Sequence, residues 1–241
     1  TTNQIAAIET GDIGSLTTAA IRGLSTDAIV ALTTDQVGVL TTAQVAALTT
    51  TQIAAVETGD IAGFDTTQIK ALSSAQVAAL TTNQVAAIET GDIGSLTTAA
   101  VQGLSTSGIQ ALTTDQVAAL TTAQVAALKT TQVAALDTDS VAALTTNDVK
   151  VLTSAQIKAL TTEQIVALST DQVGVLTTAQ VAALTTAQIA AIETGDIAAL
   201  GTLQIKALSS AQAAALTTNQ IAAIETGDIG SLTTAAIRGL S

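Results

Sequence analysis

The sequence has no His, Cys, Met, Trp, Tyr or Pro and a single aromatic residue, Phe64. Charged residues make up only 11% of it, less than half the share in an ordinary globular domain. Each absence excludes something. Without Cys or His there is no zinc finger, thiol nucleophile, haem ligand or disulfide. Without His, abundant Ser and Thr cannot form a Ser-His-Asp relay. Without aromatics there is no platform on which bases or sugars could stack. Seven scattered basic residues, a net charge of −12 and a pI near 4.1 argue against nucleic acid, because phosphate binding needs clustered Lys and Arg. The mean hydropathy of +0.54 resembles a membrane value. Yet no 18-residue apolar run occurs, since Thr and Gln interrupt every stretch, so no membrane insertion is expected. The chain opens on Thr without a signal peptide and is expected to be a mature or excised segment.

What is present is one pattern. The 241 residues divide into 30 blocks of eight and one residue more, and the register never slips. The consensus is T-T-x-Q-[IV]-x-A-L. Position 2 is Thr or Ser in every octad, position 8 is large and apolar, and position 5 is Ile or Val except at Ala213. Position 7 is small except at Val39, Val151 and Val175. Invariance between internal repeats reports a shared packing environment. A catalytic site would be unique within the array, so no catalytic, cofactor-binding or metal-ligating residue is assigned and no enzyme activity is expected.

An unbroken helix does not fit, because eight residues at 3.6 per turn would wind the apolar stripe around the rod. A simple strand puts positions 5 and 8 on opposite faces. Within one octad, however, positions 5 and 8 share one face of a short helix, and Gln at position 4 and Ala at 6 and 7 favour helix. The paired hydroxyl residues then mark the break. If position 1 caps, Gln at position 4 completes a capping box and position 8 of the preceding octad staples onto position 5. If position 2 caps, its invariance is explained. The second placement is preferred on sequence grounds. Charge segregation supports the helix: all 19 acids lie at positions 1, 3 or 4, and six of seven cations (Arg22, Lys70, Lys150, Lys158, Lys206, Arg238) lie at position 6, as the helix dipole favours. So short a helix persists only by packing on its neighbours. The expected fold is all-α, a solenoid of very short helices, one per octad, forming a single elongated unit over residues 1–241 with two octads per coil. A β-solenoid is the alternative, since Thr, Val and Ile also suit strands.

Above the octad lies a second order of repetition. Residues 1–25 and 217–241 are identical, and 81–105 differ from them at only three positions. Both ends are ordinary octads without the polar capping repeats solenoids usually carry, so the chain is expected to be part of a longer array. An ETGDI octad begins at Glu9, Glu57, Glu89, Glu193 and Glu225, and the next octad carries a position-6 cation in four cases. An ion pair between consecutive octads, a contact between neighbouring chains and a solvated charged face are the readings. Two carboxylates such as Glu9 and Asp12 do not fill the six to eight oxygen positions of Ca²⁺, and no metal site is expected.

The segments LTTAQVAAL, LTTDQVGVL and LTTNQIAAI, each an octad with the Leu before it, resemble octapeptide repeat arrays of large bacterial surface and secreted proteins, and the resemblance spans the chain. It implies an extracellular or cell-surface structural or adhesive role. The leading expectation is a rigid segment of a filament, fibre or adhesin stalk, self-associating head-to-tail and laterally. The second is a Thr-rich repetitive surface that binds ice or a polymer. A partner-binding scaffold of the ankyrin kind ranks third, because positions 3 and 6 hold no aromatic or Arg hot-spot cluster.

Overall fold

In the computed structural model, which describes residues 2–240, the chain is all-helical. One short helix occupies each octad, from α1 (Thr2–Ala6) to α30 (Thr234–Gly239), each four to six residues long. No strand occurs among the described residues, which removes the β-solenoid. The chain divides into two compact units, Thr1–Leu128 and Lys129–Ser241. Each is a solenoid of these helices.

Each helix begins at position 2 and stops at position 5, 6 or 7. At the corner two residues adopt extended backbone: in α6 (Thr42–Ala47) the cap residue Thr41 has φ −67°, ψ 156° and Leu48 has φ −55°, ψ 136°. No described residue has positive φ, so the corners need neither Gly nor Pro. The break therefore falls between positions 8 and 1, not between the paired hydroxyls.

The N-cap is position 1, which corrects the preference for position 2. Thr17, Ser25, Thr33 and Thr41 each accept from the backbone N–H three residues on. With position 1 at the cap, positions 8 and 5 become the N′ and N4 residues of a hydrophobic staple. Both are buried along the array, as in Val45 at 0% and Leu48 at 4% exposure. Phe64 and Val56 are accommodated at position 8, and Ala213 at position 5 is fully buried.

The coil is wider than two octads. In the first unit α3 (Thr18–Arg22) packs on α6, and α6 on α9 (Thr66–Ala71). In the second, α20 (Ser154–Ala159) packs on α23 (Thr178–Ala183), and α27 (Ser210–Ala215) on α30. Neighbours in space are thus three octads apart. Hydrogen bonds reach from position 4 to carbonyls 28 and 31 residues earlier, as from Gln44 to Leu16 and Ile13. One turn of each solenoid therefore takes between three and four octads.

Candidate functional site

The repeated chemistry of the molecule sits at position 4. In Gln44 the side-chain Oε1 accepts from the Thr41 backbone N–H at 2.7 Å, while the Gln44 N–H donates to Thr41 Oγ1 at 3.3 Å, closing the capping box. The Nε2 group of the same residue donates to the carbonyls of Ile13 and Leu16, each at 2.8 Å. Without this side chain, among the described residues, the Leu16 carbonyl has no donor and the Ile13 carbonyl accepts only the Leu16 N–H, as expected at the C-terminal end of a helix. One side chain thus completes the start of its own helix and the end of a helix one turn back.

The bond is remade throughout each unit. Gln52 reaches Ile21 and Leu24, Gln84 reaches Ile53 and Val56, and Gln124 reaches Ile93 and Leu96. In the second unit Gln164 reaches Val133 and Leu136, and Gln188 reaches Ile157 and Leu160. These glutamines are 1–2% exposed. Burying so polar a group is tolerable only because both its ends are satisfied. The bond also explains why position 1 tolerates poor caps. Lys129 and Gly201 provide no side-chain cap, yet their backbone N–H groups still donate to Gln132 and Gln204 Oε1, at 2.8 and 2.7 Å. The sequence shows this Gln as a helix former and a capping-box partner. Its reach to the preceding turn has no local signal.

Position 2, invariant but not the cap, faces the turn that follows. Thr34 Oγ1 donates to Asp60 Oδ1 at 2.7 Å and Thr170 to Asp196 at 2.6 Å; Thr66–Asp92 and Thr202–Asp228 repeat the bond. Where position 2 is Ser, a Gly can lie over it. A Cβ on Gly103 would fall 2.3 Å from the Ser74 carbonyl oxygen, and one on Gly239 equally near that of Ser210. The small residues of position 7 are therefore spacers against position 2 of an earlier turn.

The acids divide by environment. In the ETGDI octads Glu9, Glu57, Glu89, Glu193 and Glu225 form no side-chain cap. Asp60, Asp148 and Asp196 are buried. Asp65 caps its helix through Oδ1, accepting from the Thr67 and Gln68 N–H groups at 2.8 Å. The Thr67 hydroxyl and these N–H groups hold its carboxyl below the usual aspartate value. Among the described residues, Arg22, Lys70 and Lys206 form no ion pair with the preceding ETGDI acids; all three are exposed. The solvated-face reading describes them.

No three His, Cys, Asp or Glu side chains gather among the described residues, and no described helix is long and apolar enough to cross a membrane. A depression of about 510 Å³, open to solvent, is lined by Gly174, Leu176, Thr177, Thr178 and Gly201 through Gln204 and holds no titratable side chain.

A comparison with curated proteins gives no match. A family model described as the ALTTAQ repeat matches eight times, at residues 5–42, 53–88, 85–122, 119–146, 141–178, 167–191, 189–223 and 221–241. Its six-letter motif is the corner of the solenoid: the Ala and Leu that close one helix, the Thr that caps the next, the Thr that faces the following turn, a solvent-facing residue, and the Gln that binds the preceding turn. With nearly its whole length so matched, the chain belongs to the ALTTAQ repeat family.

Proposed function

We propose that the chain is a structural segment, a stiff solenoid stretch of an extracellular filament, fibre or adhesin stalk that associates through its repeats. The observation that supports this most is the recurrence of a single inter-turn bond. Where position 4 is Gln, as in 18 of the 30 octads, a new octad meets the same carbonyl pair through the same side chain, so extension along the axis needs no new chemistry. The near-identical segments at 1–25, 81–105 and 217–241 fit growth by duplication of such a unit. The proposal assigns no catalytic role to any residue.

A Thr-rich binding surface is the second reading, favoured by the exposure of positions 1 to 3. Against it, the position-1 hydroxyls accept from their own helices and several position-2 hydroxyls bond to the adjoining turn. Electron microscopy of the protein isolated from its source tests the proposal. Filaments or rods with a short axial repeat are expected. A protein that stays monomeric and globular at high concentration overturns it.

A further inference from the structure

We propose that the ETGDI octads bind a divalent cation, Ca²⁺ by the chemistry of the donors, at the joint where an aspartate replaces the glutamine between turns. On either side of Asp60 the joint is ordinary. Gln52 Nε2 donates to the Ile21 and Leu24 carbonyls at 2.9 and 2.8 Å, and Gln68 Nε2 to those of Val37 and Leu40 at 3.1 and 2.8 Å. The same register sets Asp60 against Ile29 and Leu32. Asp60 is 3% exposed. Its Oδ1 accepts the Thr34 hydroxyl at 2.7 Å, and its Oδ2 is buried without any hydrogen-bond partner. Among the described residues the Leu32 carbonyl receives no hydrogen bond either, and the Ile29 carbonyl receives only the Leu32 N–H.

Where a glutamine places two N–H donors, this joint therefore collects acceptors. A carboxylate cannot donate, and an unpaired buried charge is costly. A cation satisfies all of these oxygens and offsets the charge. Hard oxygen donors from a carboxylate and main-chain carbonyls are those Ca²⁺ takes. A second acid lies within reach. In ordinary octads the side chains of positions 1 and 4 touch, as Thr41 Oγ1 and Gln44 Oε1 do at 3.1 Å and Ser73 Oγ and Gln76 Oε1 do at 2.9 Å. In this octad those positions hold Glu57 and Asp60, and Glu57 makes no cap bond. A Cβ on Gly59, between them, would meet nothing within 4 Å, which leaves an approach from solvent. Water completes the shell. Two acids per site make a weak site, with Kd on the order of 10⁻⁴–10⁻³ M, the range of extracellular calcium modules.

The Thr bond recurs at Asp92, Asp196 and Asp228, of which Asp196 is buried and Asp92 and Asp228 are half-buried, while the buried oxygen without a partner among the described residues is that of Asp60. Each accepts a Thr hydroxyl from three octads back. The carbonyl opposite each, at Phe64, Leu168 and Leu200, receives no hydrogen bond among the described residues. The full chain thus offers four sites. The test is isothermal titration of the metal-free full chain with CaCl₂, together with its thermal midpoint by circular dichroism with and without Ca²⁺. About four ions per chain and a higher midpoint with Ca²⁺ are expected. Asp60→Gln restores the donor and is expected to lower the stoichiometry from four to three. The quadruple variant D60Q/D92Q/D196Q/D228Q is expected to lose the calcium response and to melt higher than the wild type without metal. Neutralising the solvent-facing acids instead, with D27N, D35N, D115N and E163Q, is expected to leave the response intact, which separates bound ions from diffuse attraction to a chain of charge −12. Absence of saturable binding at ten times the upper Kd overturns the proposal. So does an unchanged stoichiometry in D60Q, or a response lost with the solvent-facing acids.

Discussion

Gln at position 4 carries the fold because its amide has two ends. A residue of the same volume without them tests this directly. Gln124→Met leaves the Leu96 carbonyl without a donor, the Ile93 carbonyl with only the Leu96 N–H, and the Thr121 N–H without its acceptor. The expected loss is about 2–4 kcal/mol, summing unsatisfied buried groups at roughly 1–3 kcal/mol each with partial relaxation. Denaturant unfolding followed by circular dichroism measures it, and a change under about 0.5 kcal/mol, the size of an ordinary surface substitution, contradicts it. Two glycines give an opposed pair. Gly103→Ala drives a Cβ to within 2.3 Å of the Ser74 carbonyl and is expected to cost about 1–3 kcal/mol. Gly91→Ala meets nothing within 4 Å inside a helix and is expected to stabilise by about 0.4–1 kcal/mol. The two thermal midpoints should move in opposite directions. Asp65 supplies a pH dependence. Its carboxyl is held below the usual value by the hydroxyl and N–H groups it accepts from, so its contribution is present above the unfolded aspartate pKa and is lost as pH falls through the lower folded value. A carbon-13 titration should place Asp65 below an unstructured aspartate, and D65N should remove that part of the acid dependence.

Helices of four to six residues have no stability of their own, because one or two turns do not repay nucleation. A peptide of two octads, such as residues 113–128, contains two capping boxes and the Leu120–Val125 staple but no preceding turn. It is expected to show a coil spectrum by circular dichroism, and a helical spectrum would mean that local capping, not inter-turn bonding, sustains the element. Much of the element was legible in the sequence. The i, i+3 spacing of positions 5 and 8, the hydroxyl before the helix and the segregation of Asp and Glu from Lys and Arg all describe one short capped helix. The cap itself was misplaced for a physical reason. An invariant hydroxyl reads the same whether it caps or bears on another turn, and at Thr34, Thr66 and Thr170 the second role holds.

At the scale of the whole molecule, the number of octads per turn was not legible. It depends on how far a Gln side chain reaches and on how closely position 7 can lie over position 2, and both are relations between residues 25 to 31 apart. The capacity of the ETGDI octads was hidden for the same reason, since the carbonyls opposite Asp60 belong to Ile29 and Leu32. Within each unit every turn meets its neighbours through the same contacts, so stability accumulates turn by turn. Hydrogen exchange of the Gln side-chain amides, followed by NMR, tests the inter-turn bond most directly. The Nε2 protons of Gln44, Gln84, Gln124 and Gln188 are expected to exchange far more slowly than those of exposed Gln110. Exchange as fast as that of Gln110 at these buried positions would show that the turns are not held together through this side chain.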